Sequence, residues 1–196
     1  MIRDYFNEKA EDWDGYAAER DAGRLERMVE KLGLKSGMII LDIGTGTGIF
    51  LPYILKKIGY NGRVIALDIA QKMLLQAQRK GFKGEIDFLC ADVENIPLQA
   101  DTCDAVVCYS SFPHFQDKIR ALREMRRVLK KSGCVFICHT SGREAINNIH
   151  ASIALLRHDL LPDENNMKAL LRKTGFTGII CEDATDSYLA RGRKPD

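Results

Sequence analysis

The feature that most constrains the fold is a short apolar run ending in regularly spaced glycines: Met38-Ile39-Ile40-Leu41-Asp42-Ile43, then Gly44-Thr45-Gly46-Thr47-Gly48. A run this short and this apolar suits a strand buried on both faces of a parallel sheet. Glycines directly after it let the backbone turn tightly into a helix and approach a ligand closely. The pattern predicts strand, turn and helix in succession, and the same alternation recurs along the chain. A helix is expected from about Gly48 to Ile58, a strand from Arg63 to Leu67, and a helix from about Lys72 to Lys80 stopped by Gly81. Strands Ile86 to Cys90 and Asp104 to Tyr109 follow. A helix carrying Ile119, Leu122, Met125, Val128 and Leu129 then ends at Lys130-Lys131-Ser132-Gly133, and Cys134 to Cys138 makes a fifth strand. Strands separated by helices of this length imply βαβ crossovers and a sheet covered on both faces.

The two ends of the chain depart from this rhythm. Leu25, Met28, Val29 and Leu32 follow helical spacing and Gly33 closes that helix, so a helical extension precedes the first strand. After the fifth strand, Ala145, Ile146, Ile149, Ile153 and Leu156 mark one amphipathic helix. A further helix runs from about Asp163 to Thr174, with Met167, Leu170 and Leu171 on its apolar side. Thr177 to Cys181 and Ser187 to Arg191 are β-like but too close together for a helical crossover, which leaves a hairpin. The expected fold is α/β, a doubly wound, seven-stranded, mostly parallel sheet with a C-terminal antiparallel hairpin strand.

Composition narrows the function. Among 196 residues, 29 Lys and Arg oppose 27 Asp and Glu, a net charge of +2, so no basic face suggests phosphate tracking along nucleic acid. The basic stretch Arg191-Gly192-Arg193-Lys194 reads as a solvated chain end. No apolar run approaches the ~18 residues of a membrane span, and Met1 to Glu8 lacks a signal-peptide core, so a cytoplasmic protein is expected. The six cysteines show no CxxC spacing and read as reduced, buried thiols, with no metal site.

Three carboxylates stand at the ends of successive strands. Asp42 precedes the first glycine by two residues, Asp68 follows Gly48 by 20, and Asp92 follows Phe88-Leu89-Cys90-Ala91. A dinucleotide turn would read GxGxxG, whereas Ile49 stands at that third position and the spacing is GxGxG. An acid inside the turn suits an ammonium group better than a pyrophosphate. Asp68 lies where a carboxylate accepts from ribose hydroxyls, and Asp92 could accept from an exocyclic amine. Each acid alone could be a helix cap; three beside one glycine turn argue for a site.

Together these residues resemble the class I S-adenosylmethionine-dependent methyltransferases, a Rossmann-like family. Ile40 to Gly48 is similar to the family's first motif, Ala66 to Leu74 to its second and Ala91 to Pro97 to its third. Asp104 to Tyr109 and Leu122 to Gly133 resemble the fourth strand and the following helix. Tyr5-Phe6 and Ala10 to Asp14 resemble the start of the branch that includes ubiquinone and menaquinone biosynthesis methyltransferases.

The resemblance implies S-adenosylmethionine as cofactor, S-adenosylhomocysteine as product and a small-molecule acceptor, with no nucleic-acid or membrane partner. It assigns the methionine part to Asp42, Gly44, Thr45, Gly46 and Gly48, the ribose to Asp68, and the adenine to Ile69, Met73, Asp92 and the Val93 amide. Tyr109 would lie near the transferring methyl. It also implies one domain over 1–196, with an N-terminal helical cover at 1–34, including Tyr5, Trp13 and Tyr16, and an acceptor-side lid at 140–161.

A base is optional in methyl transfer. His139, ending the fifth strand, is the candidate base or substrate contact. His114 is expected to pack near the site, and His150 and His158 to be lid or surface residues. Arg143 and Arg157 could meet an anionic acceptor, although solvated helix charges are the simpler reading. Two alternatives remain at this level: a non-catalytic module binding S-adenosylmethionine or S-adenosylhomocysteine, and a nicotinamide-dependent oxidoreductase on a similar sheet.

Overall fold

The computed structural model describes residues 2–15 and 21–196, so Tyr16 lies outside the described residues. In chain order the elements are α1 (Ile2–Lys9), a 3-10 turn (Trp13–Gly15), α2 (Ala22–Lys31), β1 (Ile39–Ile43), α3 (Leu51–Ile58), β2 (Arg63–Asp68), α4 (Gln71–Arg79) and β3 (Glu85–Cys90). There follow β4 (Cys103–Tyr109), α5 (Lys118–Val128), β5 (Leu129–His139), α6 (Arg143–Ala151), α7 (Glu164–Lys173), β6 (Thr177–Ala184) and β7 (Ser187–Arg193). The strands form one sheet in the order β3-β2-β1-β4-β5-β7-β6. β7 runs antiparallel to both β5 and β6, and every other neighbouring pair is parallel.

Alternation along each strand sorts the core into two layers. Leu41, Ile43, Ile65, Leu67, Val106, Cys108, Val135 and Ile137 face one side, packed with Leu122 and Met125 of α5 and Met167 and Leu171 of α7. Ile40, Val64, Ala66, Ala105, Val107 and Phe136 face the other, against Leu25 and Met28 of α2 and Ile54 and Ile58 of α3. These strands are apolar on both faces because both faces are covered. Helix starts follow side-chain chemistry: Asp21, Asp117 and Asp163 accept from backbone N–H groups at the beginnings of α2, α5 and α7.

Several expectations are corrected. α3 starts at Leu51 and not Gly48, because Gly48 holds φ +81 and cannot continue a right-handed helix. Lys130 to Gly133 is no helix end. β5 begins at Leu129, which pairs with Cys103 before the register shifts, and Ser132 at φ +61 forms the irregularity.

The helix expected to reach Leu156 stops at Ala151. Asn147 there donates to the Leu161 carbonyl and accepts from the Leu161 N–H, while the Ser152 hydroxyl donates to the Ile149 carbonyl. These bonds fold the chain back across α6 and leave Ile153 and Leu156 in turns. Arg191 to Arg193 are not a solvated end but part of β7, and Lys194 donates to the Leu129 carbonyl at 2.6 Å. All six cysteines are free thiols, yet Cys90 is exposed at the sheet edge. No helix among the described residues is long and apolar enough to cross a membrane.

Candidate active site

β1 pairs with β2 on one side and β4 on the other, all three parallel, so the order in which successive strands are added across the sheet reverses between β1 and β4. A crevice outside the carboxyl ends of the strands opens at such a point, and here a cavity of about 630 Å³ occupies it.

The glycine turn is tied down from two sides. The Gly44 and Thr45 N–H groups both donate to the Leu67 carbonyl of β2, at 2.8 and 3.0 Å. On the other side Ser111 donates to the Ile43 carbonyl at 2.7 Å. A Cβ on Gly44, which holds φ +69, would sit 2.2 Å from the Ser111 Cβ, so only glycine lets the two strand ends meet this closely. Asp68 closes β2 with its carboxylate accepting from the Gly46 and Ala70 N–H groups, each at 2.8 Å. Burial pushes its carboxyl up to about 6, against those hydrogen bonds. Asp92 accepts from the Glu94 N–H at 2.9 Å and starts the 3-10 turn that presents Val93.

The residues singled out in the sequence divide in two. Gly44, Thr45, Gly46, Asp68, Ile69, Met73, Asp92, Val93, Tyr109 and His139 all line this cavity. Asp42 and Gly48 do not. Asp42 is 2% exposed behind the turn, takes a hydrogen bond from the Thr45 hydroxyl, and is pushed up to about 7 by burial. It reaches the cavity through Thr45, itself a lining residue. Gly48 serves packing, since a Cβ there would lie 2.8 Å from the Phe82 ring. Tyr109 is fixed by stacking on Phe50, with ring centroids 4.5 Å apart, and by a 2.8 Å hydrogen bond between its hydroxyl and that of Thr140.

The far end of the cavity comes from distant parts of the chain. α1 and the turn after it bring Tyr5, Phe6 and Trp13; α6 and the turns beyond bring Ile146, Ile149, His150, Ile153 and Leu156. Phe6 sits edge-on to Trp13 at 5.4 Å and to His114 at 5.1 Å, bridging the N-terminal cover and the wall.

His114 and His150 both face this end. Of the two readings open for His150, lid or surface, its place in the lining fits the first, and its position four residues after Ile146, on the same helix face, accounts for it. Asp159, which contacts both histidines, was missed, because no local pattern connects it to them. Ser110 was also missed. It holds φ +55 beside the cavity, and its buried hydroxyl has no hydrogen-bond partner among the described residues. His158 accepts from exposed Arg157, and Arg143 pairs with Asp183 outside this cavity, so neither arginine lines it.

The donor set tests what this site would hold. Around the strand ends stand Asp68, Asp92 and Glu94, with Asp42 behind them, and Lys9 on α1 is the one Lys or Arg among the described lining residues. Such a lining fits a ligand that carries hydroxyls, amine hydrogens and positive charge, and the unsatisfied Ser110 hydroxyl adds one more polar contact. It suits a pyrophosphate poorly.

Comparison with known proteins agrees. A family model described as a methyltransferase domain matches residues 41–137. The chain is 34% identical to the ubiquinone/menaquinone biosynthesis C-methyltransferase UbiE of Idiomarina loihiensis, over 82% of this chain and 75% of that protein. It is 29% identical to phosphoethanolamine N-methyltransferase 1 of Zea mays over 90% of this chain, which spans only 36% of that longer protein.

Among solved structures, a S-adenosylmethionine-dependent methyltransferase from Aquifex aeolicus superposes with a TM-score of 0.71 at 26% identity, covering 89% of this chain and 94% of that one. A chain from the Haloferax volcanii complex of the Trm112 methyltransferase activator with a methyltransferase reaches 0.84 at 19% identity, covering 100% of both, and shares the fold. Through its glycine turn, its sheet order and its likeness to UbiE over three quarters of that enzyme, the chain belongs to the class I S-adenosylmethionine-dependent methyltransferases.

Proposed function

We propose that this enzyme methylates an apolar, uncharged small molecule held at the end of the cavity away from the glycine turn. The observation that carries this reading is the chemical division of one cavity. The strand ends are acidic and rich in main-chain donors, whereas the far end is walled by Phe6, Trp13, Ile146, Ile149, Ile153 and Leu156, with the imidazoles of His114 and His150 as the polar groups among them. Relatives bear names with different acceptors, one in quinone biosynthesis and one phosphoethanolamine. A phosphate-bearing acceptor would bury its charge among these apolar side chains with Lys9 as the sole lining Lys or Arg among the described residues, which is costly.

S-adenosylmethionine, when bound, supplies a methyl group on a positively charged sulfur. The protein has to bind, orient and exclude water. In this reading Asp68 accepts from the ribose hydroxyls, and Ile69 and Met73 pack on the adenine. Asp92 and the Val93 amide meet the adenine's polar edge. Gly44, Thr45 and Gly46, with Asp42 behind Thr45, take the methionine part. Tyr109 lies beside the methyl, His139 contacts the acceptor, and residues 2–15 and 140–161 cover the site, while α2 packs on the sheet face beside α3.

Parallel calorimetric titrations with S-adenosylmethionine, S-adenosylhomocysteine and NADH test the donor assignment. Saturable binding of the first two without the third is expected, and binding of NADH alone would overturn it. A radiolabelled methyl-transfer screen then compares apolar with phosphate-bearing acceptors. Exclusive use of the phosphate-bearing ones would overturn the acceptor assignment.

A further inference from the structure

We propose that His114, oriented by Asp159, takes a proton from the methyl acceptor, and that the acceptor is therefore an apolar molecule whose nucleophilic atom bears an ionisable hydrogen, a phenol or a thiol. This rests on the methyl-transfer reading above and adds to it a base and a substrate class.

The argument starts from how His114 is held. It ends the 3-10 turn Phe112–His114, whose Phe112 is fully buried. Lys118 secures that turn by donating to the Pro113 and Phe115 carbonyls at 3.0 and 3.1 Å. The His114 Nδ1–H donates to the Asp159 carboxylate at 2.9 Å, and both side chains are largely buried, 12% and 14% exposed. A carboxylate on Nδ1 fixes the tautomer and leaves the lone pair on Nε2. Asp159 also acts through its main chain: its carbonyl accepts from His150 Nδ1 at 2.5 Å, which gives that second imidazole the same tautomer. The two rings lie 4.9 Å apart and both line the cavity. One residue of the 140–161 segment thus sets the protonation pattern of two histidines on different elements.

The surroundings suit a neutral base. Burial pushes the His114 imidazolium below the ordinary histidine range, and Asp159 acts in the opposite direction. The other titratable groups acting on it are His150 on α6 and His139 at the end of β5; Lys118 at the start of α5 acts on Asp159, and Tyr5 and Lys9 of α1 line the same cavity. His114 is consequently uncharged at neutral pH and able to accept. The acceptor's X–H proton moves to Nε2, and the electron pair left on X forms the bond to the methyl carbon as that carbon's bond to the donor sulfur breaks, the bonding pair staying on the sulfur of the released S-adenosylhomocysteine. The imidazolium is balanced by the Asp159 carboxylate, and its proton passes to water when product leaves. An acceptor with no ionisable hydrogen would leave the paired, buried imidazole without a task.

The experiment follows the imidazole nitrogens of His114 by NMR in the full chain loaded with S-adenosylhomocysteine, assigned by loss of the signal in His114→Gln. The probes are para-propylphenol, para-propylthiophenol and, as control, para-propylanisole. We expect Nδ1 protonated and Nε2 bare, and a saturable displacement of the Nε2 resonance by the phenol or the thiophenol but not by the anisole. Asp159→Asn should lower the titration midpoint of His114, because the carboxylate that favours the imidazolium is gone.

On whichever probe is methylated, His114→Gln should lower kcat by about a hundredfold to ten-thousandfold, with S-adenosylhomocysteine affinity unchanged within about twofold. Asp159→Asn should lower kcat more than it changes KM. An Nε2 resonance that neither ionisable probe moves, or a kcat that survives His114→Gln, overturns the proposal. Failure of S-adenosylhomocysteine to bind in a preceding titration overturns the donor assignment instead, so the two failures are separable.

Discussion

The two ends of the cavity are built by different means. The end at the glycine turn, proposed above for the donor, is made of main-chain turns that close strands β1, β2 and β4, each locked to its neighbour by hydrogen bonds such as Gly44 N–H and Thr45 N–H to Leu67. The opposite end, proposed above for the acceptor, is made of side chains delivered by α1, α6 and the turns that follow. Its internal ties are Phe6 against His114, Asp159 to two histidines, and Asn147 to Leu161. A donor common to a whole enzyme class can be held by geometry that a sheet edge supplies. An acceptor peculiar to one enzyme has to be met by residues free to vary on covering segments.

Breaking the donor end should therefore damage fold and binding together. Gly44→Ala places a Cβ 2.2 Å from Ser111 in a left-handed backbone. Ser111 cannot yield, being held by Ile43 and Cys108. The expected loss is about 3 kcal/mol or more, read by chemical denaturation. A loss under about 1 kcal/mol would show that the turn relaxes easily and that the contrast in rigidity is wrong.

Asp68→Ala separates binding from fold more finely. If Asp68 meets the ribose as proposed, the change removes a charge-assisted contact of about 1.5 to 3 kcal/mol, and S-adenosylmethionine affinity in calorimetry should fall about tenfold or more. Acceptor KM at saturating donor should stay within about twofold if the two ends are energetically separate. A matching rise in acceptor KM would join them.

Acidity sharpens the same comparison. Asp68 is raised to about 6 and Asp42 to about 7, so the folded, ligand-free protein binds more protons than the unfolded chain between the ordinary carboxylate range and those values. Their sign is destabilising: the ligand-free fold loses stability as pH rises through that window. Donor binding has the opposite trend, because the ionised Asp68 is the better acceptor of hydroxyl hydrogens. Affinity should rise by about tenfold from pH 5 to pH 8, and Asp68→Asn should flatten that profile. A flat profile in the parent protein would remove Asp68 from the binding group.

The smallest effect belongs to the seam between the ends. Asp14, in the turn after α1, accepts from the Thr47 hydroxyl at 2.5 Å and pairs with Lys80 at 2.7 Å, joining the N-terminal cover to the glycine turn and α4. Both partners are substantially exposed, so Lys80→Ala should cost less than about 1 kcal/mol in thermal unfolding. Its more telling consequence is a faster dissociation of the donor in stopped flow, if the cover must open for exchange.

Legibility followed the same line. The seven strands, the hairpin and the glycine turn could be read because each depends on residues near one another in the chain: apolar period, glycine position, an acid at a strand end. Where side chains from afar competed, the reading failed. Asn147 and Ser152 stopped α6 five residues short of Leu156, and pairing with Cys103 turned the supposed end of α5 into the start of β5. Ser110 gave no signal, since a left-handed serine is imposed by the strand ends around it.

The sequence by itself determined the order of elements, the two-layer core and the glycine turn with acids at the strand ends, because these are written in local spacing and in what each strand must bury. Tertiary structure decided that Asp42 lies behind Thr45, that Gly48 packs closely against Phe82, and that Asp159 reaches His114 across 45 residues of chain. Those contacts follow from where folded elements bring their side chains, and no local pattern encodes that distance.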